Sequence, residues 1–346
     1  MTKATIFDVA ELAGVSIKTV SRVVNREPNV RATTRERVEK AVAELGYRPD
    51  QSARNLASRR SHLIGLVYDD PAAYELPSSG YIISLQQGAL EACRSQRSEL
   101  LIHPCNFRKK NVAARLTSLI EETRPAGIIV AAPLSNMPKI VRAIESTGTP
   151  CVRISPGKQN GKGKHLSVAT NDREICAEMT RYLASLGHKR IAFITGDPDH
   201  KAVGNRFLGY QDGLEDSGLK FSDKLVVSGD NSMGSGEAAA EKLLGRKRRP
   251  TAIFAANDDM AVGVIRAADR LGIKIPEQLS VAGFDDIVLA RQVFPSLTTV
   301  KQPLDDMAEL AATMLLEGKS DDESTKGTEV VPAELKIRES TGPAPD

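Results

Sequence analysis

Apolar residues recur at helical spacing in three short runs within the first sixty residues. The runs cover residues 6–13, 16 to about 24, and 33 to about 45. Several of their apolar residues fall where a shared core needs them, namely Val9, Ala10, Val20, Val23, Val38, Val42 and Leu45. The pattern predicts a small head of three helices at the start of the chain.

Polar residues that suit helix starts precede these runs. Thr5, with Asp8 three residues later, precedes the first run, and Ser16 precedes the second. Thr33 and Glu36 have the spacing of a capping box at the third. The Ala-Gly-Val-Ser tetrad at 13–16 provides the tight turn that a helix-turn-helix needs between its first two helices.

From residue 61 onward, short apolar strands alternate with helical stretches, around 84–97, 112–123, 173–187, 235–245 and 258–272. Repeated strand–helix units predict parallel sheets covered on both faces. About 286 residues of this pattern suit two α/β halves with a ligand cleft at the carboxyl ends of the strands. The predicted strands are HLIGLVY, SELLIHPC, GIIVAAP, PCVRI, RIAFITG, LVVSGD, TAIFAAND and LSVAGFDD.

Composition narrows the class of protein. The chain is 41% hydrophobic and 26% charged, as globular proteins are, and no apolar run approaches the roughly 18–20 residues that span a bilayer. The N-terminus lacks a signal-peptide layout, so we expect a cytoplasmic protein without a membrane partner. Four widely spaced cysteines form no CxxC pair, so we expect neither a disulfide framework nor a metal site. They are Cys93, Cys105, Cys151 and Cys176.

Positive charge is concentrated in the head. Residues 1–60 hold 12 Lys and Arg against 7 Asp and Glu, whereas the rest of the chain holds 35 against 37. A small basic head on a near-neutral body is typical of a nucleic-acid reader joined to another module. Because such a segment is often only a soluble helical region, the charge by itself leaves both interpretations open.

The second predicted helix carries an outer stripe with the chemistry of base readout. Lys and Arg side chains donate to guanine, Ser contacts base edges or phosphates, and Ile contacts the thymine methyl group. The alternative is the solvated face of an ordinary helical bundle. The stripe consists of Ile17, Lys18, Ser21, Arg22 and Asn25.

Two segments resemble the signature of the LacI/GalR family of transcriptional regulators. Residues 5–25 read TIFDVAELAGVSIKTVSRVVN, and residues 47–56 read YRPDQSARNL, which is similar to the family's Y-x-P-x-x-x-A-x-x-L hinge. The resemblance implies a recognition helix in the major groove, hinges that pair across a dimer, and a minor-groove wedge at Leu56. It assigns DNA contact to Thr5, Ser16, Ile17, Lys18, Thr19, Ser21, Arg22, Asn25, Tyr47, Ala53, Arg54 and Leu56.

The hinge is predicted to be helical only when it is bound to DNA. Pro49 ends the preceding helix, and the following segment of about two turns is too short to be stable in water. DNA and a partner hinge would supply the missing burial. An inserted Leu56 would unstack a base step and bend the duplex.

The body resembles the effector domain of the same family, which is similar to periplasmic sugar-binding proteins. The resemblance implies chain crossings between two subdomains near 167, 296 and 328. We therefore expect a helix-turn-helix domain at 1–46, a hinge at 47–60, one subdomain of 61–167 plus 297–328, and another of 168–296 plus 329–346. No leucine heptad follows Ile337, so a homodimer is favoured over a coiled-coil tetramer.

Polar residues at predicted strand ends are the candidates for effector binding. Asp69, Asn257 and Asp285 each follow an apolar strand, and the family resemblance adds Arg206. Helix N-capping is the alternative role for the Asp and Asn residues. Many family members place an Asp at the end of PCVRIS, where this chain has Ser155. An arginine-containing pocket could also accept an acidic ligand such as a uronate.

The sequence thus predicts an effector-responsive DNA-binding regulator without a cofactor. Its expected partners are a near-palindromic double-stranded DNA operator, a small carbohydrate effector and a second copy of the chain. The effector could release the operator or act as a co-repressor or activator ligand. A transport-type solute-binding protein and an NAD-type enzyme are the rivals, the latter on the weak GxGxxA motif at residues 234–239.

Overall fold

The computed structural model describes residues 4–24, 30–47, 62–69, 80–157, 166–318 and 327–345. The chain divides into two units, the head Met1–Ser61 and the body His62–Asp346. The predicted hinge at 47–60 lies outside the described residues except for Tyr47.

The head contains the three expected helices, α1 (Ile6–Ala13), α2 (Ile17–Val24) and α3 (Ala32–Glu44). Gly14 ends α1 in the left-handed conformation with φ of 62°, which glycine adopts without a steric penalty. The core is apolar and contains most of the predicted residues. Its buried members are Val9, Ala10, Ala13, Val20, Val23, Val38 and Ala41, with Val42 and Leu45 partly buried beside them.

Two of the three predicted helix caps are present. Thr5 and Asp8 form a capping box, in which the Asp8 amide donates to Thr5 Oγ1 and the Thr5 amide donates to Asp8 Oδ2 at 2.7 Å. The Thr19 amide donates to Ser16 Oγ at 3.2 Å at the start of α2. The predicted box at Thr33 is absent, because α3 begins one residue earlier at Ala32 and its N-cap, Arg31, makes no side-chain cap bond.

The described part of the body alternates strands and helices as expected. The order is β1 (Leu63–Asp69), α4 (Gly80–Ser95), β2 (Glu99–Cys105), α5 (Val112–Thr123), β3 (Gly127–Val130), α6 (Pro138–Glu145), β4 (Cys151–Ile154), β5 (Leu166–Ala169), α7 (Asp172–Ser185), β6 (Ile191–Thr195), α8 (Ala202–Asp216), β7 (Val226–Ser228), α9 (Met233–Leu244), β8 (Ala252–Ala255), α10 (Asp258–Arg270), β9 (Ser280–Asp285), α11 (Val288–Gln292), β10 (Thr298–Lys301), α12 (Leu304–Leu316), β11 (Thr328–Val330) and β12 (Glu334–Lys336). Short 3₁₀ turns lie at Leu134–Asn136 and Asp223–Leu225.

These elements form two lobes, each built on one six-stranded sheet. The first lobe has strand order β11-β5-β4-β3-β1-β2, all parallel. Helices α4 and α12 cover one face, and α5 and α6 cover the other. The second lobe has order β12-β10-β9-β8-β6-β7, parallel except for the antiparallel edge strand β12. A single apolar core involving α7, α8, α9 and α10 fills it.

The chain crosses between the lobes three times, slightly later than the sequence predicts. β5 extends to Ala169 in the first lobe, so the first crossing follows 169 and not 167. β10 pairs with β9 in the second lobe, which moves the crossing expected near 296 to the segment after Lys301. The third crossing follows Val330 because β11 pairs with β5.

The GxGxxA motif has a packing role in the structure. A Cβ atom on Gly236 would lie 2.2 Å from the carbonyl oxygen of Met260, so the glycine permits the close approach of α9 to α10. Among the described residues, no helix is long and apolar enough to cross a bilayer. The same residues contain no group of three His, Cys, Asp or Glu side chains placed to hold a metal ion.

Candidate functional site

The outer face of α2 exposes the chemistry expected of a base-reading helix. Ile17 is 41% exposed, and Lys18 and Arg22 are also exposed, while Val20 and Val23 on the opposite face are buried. Ser21 lies between them and is half-buried. Burying an exposed β-branched side chain against a thymine methyl group would be favourable, and the neighbouring cations match phosphates and guanine edges.

Other predicted DNA-contact residues of the head have structural partners. Thr5 and Ser16 cap α1 and α2, and the Ser16 and Thr19 hydroxyl oxygens are 2.9 Å apart. Tyr47 is half-buried beside the head core, and its amide donates to the carbonyl of Val42. The predicted contacts Asn25, Ala53, Arg54 and Leu56 lie outside the described residues.

In the body, the predicted effector residues lie at the ends of parallel strands or at the start of α8. Asp69 ends β1 and Ser155 follows β4 in the first lobe. Asn257 follows β8, Asp285 ends β9, and Arg206 lies on α8 in the second lobe. This is the edge at which α/β proteins bind their ligands.

Arg206 is the centre of a buried polar network. The side chain is 3% exposed, and its Nε donates to Asp172 Oδ1 at 2.9 Å. Nη1 donates to the carbonyl of Ala256 at 2.7 Å, and Nη2 donates to Gln302 Oε1 at 3.2 Å. The guanidinium carbon lies 3.6 Å from the ring centre of Phe284. The protein itself therefore supplies the partners that a buried arginine needs.

Asp285 contacts this network without completing it. Its Oδ1 lies 3.7 Å from Arg206 Nη1, beyond hydrogen-bond distance, and has no partner in the structure. Burial raises the pKa of Asp285 to about 7, opposed by Arg206 and reinforced by Asp259 and Asp172. The residue also has a φ of 118°. Strained backbone at a non-glycine residue is concentrated at functional sites.

Asn257 and Asp69 are engaged in local structure. Asn257 caps α10, because its Oδ1 accepts from the Met260 amide at 3.0 Å, and its Nδ2 donates to the carbonyl of Asn231 at 2.9 Å. Asp69 Oδ1 accepts from the Phe107 amide at 3.3 Å. The capping alternative thus describes Asn257 in this structure.

Ser155 belongs to a second group of polar side chains, which spans the two lobes. It is buried with φ of 48°, and its hydroxyl interacts with that of Tyr81 at the start of α4. The Tyr81 ring packs edge-on against the His200 ring of the second lobe, with ring centres 6.0 Å apart. Burial and the negative charge of Asp285 raise the pKa of Tyr81, which places its hydroxyl close to Asp285.

His200 remains uncharged in this setting. Burial and the positive charge of Arg206 lower its pKa to about 3. Its Nδ1 is buried without a hydrogen-bond partner, as are Tyr81 Oη, Ser155 Oγ and Asn136 Oδ1. The Asn136 Nδ2 donates across the lobes to the carbonyl of Asp199 at 3.5 Å.

The sequence did not indicate four of these residues. Asp172 and Gln302 bind Arg206 from positions far away along the chain, and Tyr81 and His200 meet across the lobes. Asp172, in the first turn of α7, could have been recognised only as a residue that suits a helix start. Tyr81 and His200 carry no local pattern that distinguishes them from ordinary helix and loop residues.

Head and body together define a class of protein, a helix-turn-helix module joined to a two-lobed α/β module with polar side chains at the facing strand ends. Comparison with known families agrees with both parts. The profile "Bacterial regulatory proteins, lacI family" matches residues 5–50, and the profile "Periplasmic binding protein-like domain" matches residues 180–341.

Known relatives match nearly the whole chain. The chain is 34% identical over 345 residues to the HTH-type transcriptional regulator DegA of Bacillus subtilis (strain 168), covering 99% of both chains. A lac repressor dimer solved with operator and the anti-inducer ONPF is 27% identical, with a TM-score of 0.82 over 99% of this chain and 100% of that one. The CelR–cellobiose complex is 29% identical, with a TM-score of 0.73 over 97% and 99%.

The chain therefore belongs to the lacI family of bacterial regulatory proteins. It is a DNA-binding transcriptional regulator. The predicted family and fold class, a helix-turn-helix head with a two-lobed body similar to periplasmic binding proteins, are confirmed.

Proposed function

We propose that the protein is a cytoplasmic repressor that binds a near-palindromic operator as a homodimer and is released by a small effector. The observation that carries this proposal is the pairing, in one chain, of an α2 face bearing Ile17, Lys18 and Arg22 with a cleft built around the buried Arg206. The lac repressor structure, a dimer on its operator, supports the assembly. Two identical heads related by a two-fold axis select a two-fold-symmetric site.

The DNA-contact residues are proposed in two groups. Ile17, Lys18, Ser21 and Arg22 read bases or phosphates from the outer face of α2. Thr5, Ser16, Thr19, Asn25 and Tyr47 contact the backbone or hold the helix ends against it. In the hinge, Ala53, Arg54 and Leu56 contact the minor groove, with Leu56 as the wedge.

The effector site is proposed at the facing strand ends of the two lobes, from Asp69, Ser155, Arg206, Asn257 and Asp285. The bound cellobiose of the CelR structure supports a carbohydrate as ligand. Repression of carbohydrate-use genes follows from that ligand class. Regulation here acts through binding equilibria, and we assign no catalytic residue and no cofactor.

Effector binding is proposed to change the angle between the lobes and so the position at which each hinge begins. Because an isolated two-turn helix is marginal, a small displacement of its origin is enough to melt it and release the operator. The opposite sign, in which the effector strengthens operator binding, follows from the same geometry if the bound lobe angle favours the helical hinge.

A mobility-shift experiment tests the proposal. The full chain should shift a fragment of upstream DNA, and the body alone, residues 62–346, should not. Addition of the effector should change the fraction shifted by the full chain. A body that shifts DNA as well as the full chain does would remove the head from DNA recognition. Absence of any shift by the full chain would contradict the proposed function.

A further inference from the structure

Buried polar atoms without partners are concentrated between the lobes. In the described residues, the unpaired atoms from the first lobe include Tyr81 Oη and Ser155 Oγ, and those from the second include His200 Nδ1 and Asp285 Oδ1. Tyr81 contacts His200 at 6.0 Å between ring centres and interacts with Ser155 and Asp285. Buried polar groups are normally hydrogen-bonded, so this group of four is built to be completed by a ligand.

The one buried guanidinium at this place is already occupied. Each of the three Arg206 nitrogens donates to a protein acceptor, on Asp172, Ala256 and Gln302, and Phe284 covers a face of the group. Asp172 neutralises its charge at 2.9 Å, while Asp285 lies only 3.7 Å away. The Arg206–Asp172–Asp285 group is therefore neutral when Asp285 is protonated and carries one negative charge when it is not.

Other cations do not compensate for Asp285. His200 stays uncharged because burial and Arg206 lower its pKa to about 3. The nearest charged neighbour of Arg153 is Glu145 on α6, and its Nε donates to the carbonyl of Ser135 at 2.8 Å. Arg108 is 70% exposed and pairs with Asp197 at 3.5 Å. Asp259 adds to the negative potential at Asp285.

We infer that this cleft selects an uncharged, hydroxyl-bearing ligand and excludes carboxylates and phosphates, with Tyr81, Ser155 and His200 as the residues that set the selectivity. The inference rests on the proposed function only in placing the effector at the strand ends. It excludes the acidic ligand, such as a uronate, that an arginine-containing pocket suggests by composition.

The physical basis is the cost of burying a second anion. A carboxylate or phosphate would lose its hydration and meet Asp285 without a free cation to pair with. At about 5 Å and an effective dielectric constant near 20, like-charge repulsion is several kcal/mol, which corresponds to more than a hundredfold in affinity. A hydroxyl group instead donates to Asp285 Oδ1 and accepts from Tyr81 or Ser155.

Matched sugar pairs test the inference on the body, residues 62–346, which forms a unit with its own apolar cores. Calorimetric titrations would compare glucose with glucuronate and glucose 6-phosphate, galactose with galacturonate, and ribose with ribose 5-phosphate. Inorganic phosphate is titrated against chloride at equal ionic strength. We expect no saturable phosphate binding, and any pair that binds should favour the neutral member by at least tenfold. An anionic member that binds as tightly as its neutral partner, or saturable phosphate binding in the cleft, overturns the inference.

Single-atom variants assign the selectivity to the named residues. Tyr81→Phe should weaken the bound neutral sugar about three- to thirtyfold, because one buried hydrogen bond is lost. Tyr182→Phe is the matched control, since the Tyr182 hydroxyl bonds Thr341, at 3.0 Å, and should leave sugar affinity unchanged. Equal affinities of Tyr81→Phe and wild type would remove Tyr81 from the site.

Operator binding in the same preparations separates this inference from the proposed function. If an anionic sugar releases the full chain from its operator, regulation stands and the selectivity is wrong. If a neutral sugar binds the body but the full chain binds no DNA, the selectivity stands and the regulator proposal is wrong.

Discussion

Arg206 is both a candidate ligand contact and the counter-ion of the second lobe. Replacing it with alanine leaves Asp172 and Asp285 buried without their cation, which we expect to cost about 3–5 kcal/mol of body stability in addition to the effector response. Urea unfolding of the full chain measures the loss. Arg173→Ala is the matched control, because its pair with Asp212 is exposed and its loss should cost no more than about 1 kcal/mol. Equal effects of the two variants would contradict a buried ion-pair role.

Asp285 should make stability depend on pH. Because its pKa is raised to about 7 in the native state, native Asp285 holds its proton more tightly than unfolded Asp285 does. This contribution is present at low pH and is lost as the pH rises through 7. We therefore expect the stability of wild type relative to Asp285→Asn to fall between pH 5 and pH 8. His200 opposes this trend over part of the range but is present in both proteins, so it cancels in the comparison.

Thermal unfolding of both proteins across that pH range measures the difference. A constant difference would show that Asp285 titrates at its ordinary pKa, and that its environment is more polar than the structure indicates.

Arg22 distinguishes base reading from charge attraction at the head. If its guanidinium reads a base edge, Arg22→Ala should cost about 1–3 kcal/mol on the operator and relax one base position. Fluorescence anisotropy against operators randomised one base at a time checks this. Arg37→Ala, an exposed arginine of α3, serves as the charge control. A uniform loss on all sequences with a changed salt slope would make Arg22 a phosphate contact.

Among the elements, α1 depends on its capping box. Thr5→Ala removes a bond in each direction between Thr5 and Asp8 and should destabilise the helix by about 1 kcal/mol. Thr33→Ala is the control, because α3 has no side-chain cap bond. Hydrogen exchange of the head amides in the full chain reports both. Equal protection of α1 in the two variants would mean that its packing, and not its cap, holds the helix.

The hydrophobic pattern predicts the long elements well, since all eight predicted strands and the major helices are present. The four strands it missed, β5, β10, β11 and β12, are three or four residues long, and β11 and β12 are largely exposed. Such strands are specified by the neighbour with which they pair and carry too little local pattern to detect. Missing β10 is what misplaced the second crossing.

The site was predictable to the same depth. Strand ends are fixed by the alternation of elements, which is why Ser155 and Asp285 could be named. The contacts that give them meaning join residues 34 and 96 positions apart along the chain, as Arg206 does with Asp172 and Gln302. No single-chain pattern encodes which loop of one lobe faces which helix of the other, so Tyr81 and His200 emerge only from the folded body.

For the whole molecule, effector and operator should be coupled reciprocally. If the effector changes operator affinity by a factor typical of such systems, about 5- to 150-fold, the operator must change effector affinity by the same factor. Anisotropy gives the first factor and calorimetry the second, with the neutral sugar that binds the body as probe. The body alone serves as control, because its sugar affinity should ignore DNA. Unchanged operator affinity at saturating sugar would show that the cleft does not regulate the head.

The second crossing makes the cleft part of a closed mechanical circuit. Gln302, the first residue after β10, accepts from Arg206, and its amide donates to the Asp285 carbonyl at 3.3 Å. The chain then enters α12, which lies so close to α4 that a Cβ atom on Gly88 would overlap the backbone of Asp305. Since α4 begins beside Tyr81, the path returns to the cleft through the other lobe. A ligand that loads either end therefore strains one frame, and the lobes respond as a single lever.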